Sequence, residues 1–360
     1  MHRLLARIAL VLMFIYPAWI TAADIQIRGT YGGVKSFWQA GHSLTDHGVN
    51  AVFVGSYGIN DELIEKTRAE GVKVFSEFAT LNGGRYLETH PEAWPIDSSG
   101  ERSPKADWFM GVCPTDPAFR SYRMSALRNL LERYPLDGIW MDYVHWHAQF
   151  ESPEPILPET CFCDNCLSTF QSATGVTLPD SLTTVPQKAG WILAGHEQSW
   201  RNWRCRVVVD WARDIKAILN EIRPGALLGL YHTPWTDSEF DGARRKILGL
   251  DLSMLASVVD VLSPMVYHGR MERSPEWVGE YVGWLCDALD LTRSSSPAVW
   301  PIVQGTDEPS PVSPAEFEQV LRLGTGGCAT GVMMFTIHGI TKEPAKLEVM
   351  KRVYREWAKD

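Results

Sequence analysis

The sequence lacks the signatures of several large classes of protein. Its first predicted strand is followed only by Gly32-Gly33, and not by the Gly-rich phosphate-binding turn of a dinucleotide-binding sheet. It has no low-complexity segment and no internal repeat beyond the βα unit. Positive charge is scarce, since 34 Lys and Arg stand against 43 Asp and Glu and the formal net charge is −9. This balance argues against nucleic acid or an anionic membrane as a partner, and it is compatible with a neutral ligand such as a sugar.

An apolar segment at the N-terminus has the features of a secretory signal peptide. Residues 1–23 carry Arg3 and Arg7 before an apolar centre and finish in small residues. The apolar run is broken by Pro17 and is short for a membrane-spanning helix, so a retained anchor is the less favoured alternative. We therefore expect a secreted or periplasmic protein with no stable membrane insertion after cleavage, in which residues 24–360 form a single domain.

Eight mostly apolar segments are predicted to be β-strands. Helical patterns or long loops separate them, and eight βα units are the number found in a closed (β/α)8 TIM barrel. A doubly wound open sheet is the alternative α/β fold, but the phosphate-binding turn typical of that fold is missing. The predicted strands are 25–31, 50–57, 72–78, 137–143, 226–232, 258–267, 298–304 and 331–337.

Six segments between the strands have apolar residues at three- and four-residue spacing, as expected for helices that pack on a barrel. The loop after strand three, 79–112, and an insertion after strand four, at about 147–195, are long. Barrels build binding clefts from long loops at the C-terminal ends of the strands, so we expect the site at that face. The predicted helices are 61–70, 116–133, 200–222, 275–289, 314–323 and 344–357, with weaker patterns at 36–47 and 241–255.

Predicted strand four changes character abruptly at its end. The apolar run at 138–141 is followed within six residues by Asp142, Tyr143, His145 and His147. Catalytic side chains gather at the C-terminal ends of strands in α/β barrels, so this strand end is the predicted centre of the site. The simpler alternative is that Asp142 caps the next helix and that the histidines are surface groups.

Hydrolysis of a glycosidic bond requires two carboxyl groups, one to protonate the leaving oxygen and one to act as nucleophile or as base on water. Asp142 is the predicted nucleophile or base, and Glu77, at the end of the adjacent strand, is the predicted acid. Glu77 could equally orient a substrate hydroxyl or pair with Arg85. Asp307 and Glu308, after strand seven, are the reserve pair, although a solvated turn is the more favoured interpretation there. Asp260 lies at the entry end of its strand and is discounted.

The other strand ends share a chemical character that fits a carbohydrate. Aromatic rings stack on the apolar faces of sugars, while phenol, amide and imidazole groups bond their hydroxyls. Any one of these aromatic residues, taken alone, is more simply explained by packing, but the set is more specific than its members. The predicted substrate-binding residues are Tyr31, Tyr57, His145, Tyr231, His232, Trp235, Tyr267, His268, Gln304 and His338.

Four of the seven cysteines are predicted to converge. Cys161, Cys163 and Cys166 form a C-x-C-x-x-C motif after strand four, and Cys113 lies in the neighbouring loop. Four thiolates could bind a structural zinc ion, and a disulfide between Cys113 and one member of the motif is the alternative in an exported protein. No organic cofactor is expected. The remaining cysteines are predicted to be buried thiols of the core: Cys205, Cys286 and Cys328.

The segments 136–143, 261–267 and 331–335, with the cysteine motif and Phe170, resemble a glycoside-hydrolase-like TIM-barrel family of exported bacterial proteins. The four cysteines are also similar to those of a zinc-containing β-galactosidase family. The chain departs from that family at strand four, where Asp142-Tyr143 stands in place of an Asn-Glu pair that bears the general acid. The resemblance implies a barrel fold and hydrolysis of carbohydrate. An Asp at this position is similar to the nucleophile of barrel families that act on α-linked sugars.

Two other functions fit the same residues. A metal-dependent hydrolase or deacetylase could use His145 and His147, which project to one side of an extended chain, together with Asp142, His232 or His268. A non-catalytic carbohydrate-binding barrel would keep the aromatic cleft without the acid. The leading prediction is an exported glycoside hydrolase acting on an oligo- or polysaccharide.

Overall fold

The computed structural model describes residues 25–359, and the predicted signal peptide at 1–23 lies outside them. Its strands are all parallel and close into a barrel of eight, which confirms the predicted (β/α)8 fold. The closed order runs β1 to β6, then β8 and β9, and β9 pairs with β1. The strands are β1 Ile27–Tyr31, β2 Ala51–Gly55, β3 Lys73–Ala79, β4 Gly138–Asp142, β5 Leu227–His232, β6 Val261–Val266, β7 Ala298–Val299, β8 Ile302–Gln304 and β9 Gly331–Phe335.

The seventh predicted strand is divided in two. β7 and β8 pair with successive parts of β6, so together they fill one position in the barrel. The break falls at Trp300-Pro301, where Pro301 has no N–H with which to continue the ladder. Its carbonyl still accepts a 2.9 Å hydrogen bond from the backbone N–H of Met333, which keeps the divided strand against β9.

The six strongly predicted helices are all present, within three residues of their predicted bounds. Three of them have a side-chain cap at the start: Asn60 accepts from the backbone N–H of Leu63, Asp116 accepts from that of Phe119, and Ser313 and Glu316 form a capping box. None of the helices within residues 25–359 is both long and apolar enough to cross a bilayer. The helices are α1 Lys35–Gln39, α2 Asp61–Ala69, α3 Gly84–Leu87, α4 Pro117–Arg133, α5 Asp164–Thr174, α6 Val185–Gly195, α7 Glu197–Ile222, α8 Ala243–Lys246, α9 Leu252–Ala256, α10 Glu276–Ala288, α11 Pro314–Leu323, α12 Ile337–Thr341 and α13 Pro344–Trp357.

The weaker helical patterns become short pieces. The segment 36–47 folds into α1 and a 3-10 turn, Thr45–His47, and the segment 241–255 contains α8 and α9. The insertion after β4 has secondary structure of its own, the helices α5 and α6, which its sequence did not predict.

The lower part of the barrel is filled by large rings. The rings of Trp140 and Trp300 stack with centroids 5.6 Å apart, and Phe53 and Phe75 lie 4.8 and 4.6 Å from Trp140. Glycine makes room for them, since a Cβ on Gly229 would lie 2.1 Å from the Trp140 ring. These four rings form an aromatic plug that closes the barrel below its C-terminal mouth. The plug is the floor of any site at that mouth.

One prediction about the cysteines is wrong. Cys286 and Cys328 are joined by a disulfide that links α10 to the segment before β9, across 42 residues of sequence. Both side chains are buried, as their apolar neighbours in the sequence predicted. Those neighbours do not show that the two cysteines pair with each other. Cys205 is a free, buried thiol as predicted.

Candidate active site

Glu77 and Asp142 lie on neighbouring strands and face the interior of the barrel. In the β3–β4 register, Glu77 pairs with Trp140 and Ala79 pairs with Asp142. Paired residues point to one face, and alternate residues along a strand share it, so both carboxyl groups point the same way as the Trp140 ring. The aromatic plug therefore lies beneath the two acids, and the mouth of the barrel lies above them.

Each acid has a defined hydrogen bond. The Tyr31 hydroxyl donates to Oε2 of Glu77, and the backbone N–H of Tyr143 donates to Oδ1 of Asp142 at 2.8 Å. Tyr143 adopts a left-handed backbone conformation, with φ +52°, in the turn just beyond β4. Glu77 is 7% exposed, whereas Asp142 is only partly buried.

A third carboxyl group approaches this pair from the insertion. Glu151 is partly buried and accepts a 3.0 Å hydrogen bond from Nη1 of Arg270, which follows β6. Sequence reasoning missed both residues because neither ends a strand. The available signal was weak: an acid just after the aromatic run at 143–150, and an arginine three residues after Tyr267.

The three carboxyl groups alter one another's ionisation. Burial raises the pKa of Glu77, and the bond from Tyr31 opposes that shift. Burial, followed by the negative charges of Glu77 and Glu151, holds the pKa of Asp142 well above its ordinary value. Burial also raises the pKa of Glu151, and Arg270 opposes this. Of the three acids, Asp142 has the pKa that is raised by both burial and two neighbouring charges, so it is the group most favoured to hold a proton.

Three of the predicted substrate-binding tyrosines surround the acids. Tyr31 packs edge-on against Tyr231, with ring centroids 6.2 Å apart, and stacks on Phe335 at 5.1 Å. The ring centroids of Tyr267 and Phe335 lie 5.0 Å apart. Burial and the nearby acidic charges raise the pKa of all three phenols, so they are neutral hydrogen-bond donors at physiological pH. The rings of Tyr31, Tyr231, Tyr267 and Phe335 thus form an aromatic wall beside the acids. Phe335 was not among the predicted site residues.

His145 and His147 are buried, and their hydrogen bonds do not favour a metal site. Nδ1 of His147 accepts from the backbone N–H of Gly111 at 3.1 Å, and Nε2 lies 2.8 Å from the Pro104 carbonyl. Both nitrogens are therefore occupied by the protein. His145 bonds the Trp146 carbonyl through Nδ1 at 2.8 Å, and burial lowers its pKa to about 4. Within residues 25–359, the ligand atoms of these histidines do not converge with other candidate ligands.

The remaining predicted histidines lie in three different settings. His232 is buried, bonds the Thr233 carbonyl through Nδ1 at 2.9 Å, and has its pKa lowered to about 3 by burial. His268 is also buried, and its Nε2 lies 3.2 Å from Oε1 of Glu316 on α11. His338 is exposed on α12, with Nδ1 3.3 Å from the Ser36 hydroxyl. The structure therefore does not bring the three rings together.

Two predicted binding residues have other partners, and a third faces solvent. Gln304 accepts from the backbone N–H of Arg270 at 2.9 Å and donates to two loop carbonyls at 3.1 Å each, so its amide ties loops together. Trp235 is buried beside Phe240, with centroids 4.4 Å apart. Tyr57 is 94% exposed in the 3-10 turn after β2.

Asp307, one of the two reserve acids, is held by other groups of the protein. Asp307 accepts a 2.6 Å bond from the buried ammonium group of Lys346 and also bonds the backbone N–H of Val312 at 2.7 Å. These contacts lower its pKa. Asp260, at the entry end of β6, pairs with Lys216 and accepts from the backbone N–H of Leu228 at 2.7 Å. Asp307 and Asp260 thus have structural roles.

The cysteine cluster joins the loop that contains Cys113 to the segment 161–166 at the start of α5. The sulfurs of Cys113, Cys161, Cys163 and Cys166 all lie within 4.8 Å of one another, and none forms a disulfide. Sγ of Cys113 is 3.5 Å from Sγ of Cys163 and 3.4 Å from Sγ of Cys166. A tetrahedral ion with metal–sulfur bonds of about 2.3 Å would place sulfurs about 3.8 Å apart, so the four residues could bind one metal ion.

No protein-family model matches this chain, and no curated protein matches its sequence. Solved structures do match its fold. The glycoside hydrolase domain of PgaB (BpsB) from Bordetella bronchiseptica has a TM-score of 0.67 and 13% identity, over 91% of this chain and 98% of that one. The β-galactosidase of the psychrophilic Marinomonas ef1 has a TM-score of 0.65 and 13% identity, over 91% of this chain and 59% of that one.

A third similar structure is the catalytic domain of β-amylase from Paenibacillus polymyxa, with a TM-score of 0.65 and 12% identity, over 92% of this chain and 98% of that one. At such identities the similarity shows a shared barrel fold. The family membership that the sequence motifs indicate stays a prediction.

Proposed function

We propose that the protein is an exported glycoside hydrolase that cleaves a glycosidic bond in an oligo- or polysaccharide. The observation that carries the proposal is the pair formed by the buried Glu77 and the partly buried Asp142, which faces the mouth of the barrel inside a wall of tyrosines. Two carboxyl groups with different pKa values are the minimum that this reaction requires. The barrel fold, shared with structures named as a glycoside hydrolase domain and a β-galactosidase, supports the same conclusion.

The proton affinities favour a division of roles opposite to the one expected from sequence. Asp142, whose pKa is raised by burial and by two neighbouring acids, is the proposed proton donor to the leaving oxygen. Glu77, whose ionised form is stabilised by the Tyr31 hydroxyl, is the proposed nucleophile or base on water. Glu151 supports this division because its negative charge helps to keep the proton on Asp142.

The phenols of Tyr31, Tyr231 and Tyr267 are the proposed contacts to sugar hydroxyls beside the scissile bond. The O–H of Tyr31 donates to Glu77 and that of Tyr231 bonds Sδ of Met333 at 3.3 Å, so the oxygens of these two phenols would accept from a sugar hydroxyl. Tyr267 is neutral and can donate without adding charge next to the acids. His145, His232 and His268 are neutral, buried groups around the same mouth and are proposed to shape the wall.

Three single substitutions test the assignment. Asp142→Asn and Glu77→Gln should each lower the release of reducing ends from the cleaved polysaccharide by about 10²–10⁴-fold, with unchanged circular dichroism. Glu154→Gln is the matched control, because Glu154 is exposed and lies three residues from Glu151 in the same segment. External azide should restore turnover to the variant that lacks the nucleophile. Unchanged turnover in Asp142→Asn contradicts the proposal, and retained glycan binding without any turnover in wild type favours the non-catalytic alternative.

We further propose that the four-cysteine cluster binds a structural zinc ion. The Cys286–Cys328 disulfide is typical of an oxidising compartment, in agreement with the predicted signal peptide. Four unpaired thiols within 4.8 Å would readily form disulfides in such a compartment, and a bound metal ion would protect them. Zinc would hold the loop that contains Cys113 against the start of α5, within the proposed single domain at 24–360.

A further inference from the structure

Three cavities adjoin one another around the mouth of the barrel. The central one, of about 590 Å³, contains Glu151 and Arg270 in its wall. A larger one, of about 800 Å³, is lined by the aromatic residues Tyr86, Trp94, Trp108 and Tyr122. A smaller one, of about 210 Å³, is lined by Trp235, Phe240 and Trp277.

Shared walls connect the cavities in a row. Trp108 lines both the large and the central cavity. Ser152, Pro153 and Glu272 line both the central and the small cavity. The central cavity reaches the three carboxyl groups through Glu151, which lies in its wall. The central cavity, with Glu151 in its wall, therefore has one further cavity next to it at Trp108 and another at Ser152 and Pro153.

The outer cavities present aromatic rings to solvent. Trp108 is 38% exposed and Tyr122 is 53% exposed, and the Tyr122 ring lies 5.3 Å from that of Tyr86. On the other side, Phe240 is 38% exposed beside the Trp235 ring. Exposed rings that line a cleft are what the apolar faces of successive sugar units stack on.

We propose that this row of cavities binds one continuous glycan chain and that the enzyme cleaves it internally, as an endo-acting polysaccharide hydrolase. The inference rests on the proposed function, because it takes the carboxyl group cluster as the point of cleavage. An exo-acting enzyme would need a wall at one side of that point, whereas here Trp108 and the 152–153 segment are shared boundaries with further aromatic cavities. The substrate is thus a polymer with sugar units on both sides of the scissile bond.

The test follows the products made from amylose, β-1,4-galactan, laminarin, chitosan and polygalacturonate, each alongside its own trisaccharide. On the polymer that is cleaved, wild-type protein should release oligosaccharides of mixed length first, and viscosity should fall before many reducing ends appear. Tyr122→Ala and Trp277→Ala, which remove one ring from each outer cavity, should each lower kcat/KM on the polymer about fivefold and leave the trisaccharide rate nearly unchanged. Ile156→Ala, a residue that is 44% exposed and lies outside all three cavities, is the control.

The outcomes separate the inference from the function on which it rests. Release of only mono- or disaccharides from chain ends, or equal effects of both ring variants on polymer and trisaccharide, overturns the endo-acting cleft and leaves glycoside hydrolysis standing. Absence of cleavage on every polymer and trisaccharide, with the protein folded, overturns the proposed function and the inference together.

Discussion

The Tyr31 hydroxyl donates a hydrogen bond to the Glu77 carboxylate, between residues 46 positions apart on β1 and β3. Burial favours the protonated form of Glu77, and this bond favours the ionised form. The same phenol stacks on Phe335, so its position is set by packing on β9 as well as by the bond. Tyr31 therefore contributes to the state of charge of the acid proposed as nucleophile or base.

Replacement of Tyr31 by Phe should move the pH dependence of catalysis. Loss of the donor removes the contribution that lowers the Glu77 pKa, so the acidic limb of the kcat/KM profile should shift to higher pH. Tyr354→Phe is the control, because it removes a buried hydroxyl that bonds the Gly29 carbonyl at 2.7 Å on the far side of β1. A profile that does not move in Tyr31→Phe would show that Glu77 does not titrate in the reaction.

Asp142→Asn should stabilise the fold while it lowers activity. The folded-state pKa of Asp142 lies above its ordinary value, so ionisation opposes folding once the pH exceeds that ordinary value. The free energy of unfolding of the Asn variant should exceed that of wild type only slightly near pH 4. The difference should grow by about 1.4 kcal/mol per pH unit as the pH rises toward the folded-state pKa. Urea unfolding at pH 5 and pH 8 measures this, and an equal difference at both values would contradict it.

The disulfide should contribute to stability by restricting the unfolded chain. For a loop of 42 residues between Cys286 and Cys328, the chain-entropy relation gives about 4 kcal/mol, and typical values are about 2–4 kcal/mol. Cys286→Ser should therefore lower the free energy of unfolding by that amount. Added reductant should have the same effect on wild type and none on the variant. Cys205→Ser is the control, since its thiol is free and its response to reductant should match that of wild type.

Purified protein should contain one zinc ion per chain, and Cys166→Ser should lose it. Elemental analysis measures the ion, and thermal unfolding should show a lower Tm for the variant and for chelator-treated protein. Cys205→Ser should keep the full metal content. Metal-free wild type with four reduced thiols and an unchanged Tm would rule out the zinc site.

A substitution at Gln304 distinguishes a role in binding substrate from a role in holding loops together. Its amide bonds the backbone of Arg270, Thr306 and Glu308, so Gln304→Ala should lower the free energy of unfolding by about 1–3 kcal/mol in the absence of any sugar. Equilibrium unfolding without ligand is the measurement. A variant of full stability with a raised KM would instead support the substrate-binding role predicted from sequence.

The periodic parts of the chain were predictable. Apolar runs located the eight barrel strands, and the two-residue repeat of a strand required Glu77 and Asp142 to share a rim once β3 and β4 were neighbours. The spacing of Cys161, Cys163 and Cys166, with Cys113 in the adjacent loop, indicated the cluster in the same way. These features depend on local order along the chain and on the regular geometry of a parallel barrel.

Tertiary structure decided the features that depend on irregular loops. Glu151 approaches Glu77 and Asp142 from an insertion whose sequence has no regular hydrophobic periodicity. Arg270, which bonds Glu151, lies in a loop 119 positions further along the chain. The sequence could not show that Tyr57 faces solvent or that both nitrogens of His147 are occupied. Sequence alone determined the barrel and the rim at which its acids lie. Packing between distant loops determined which groups surround those acids, because such contacts leave no repeating pattern in the chain.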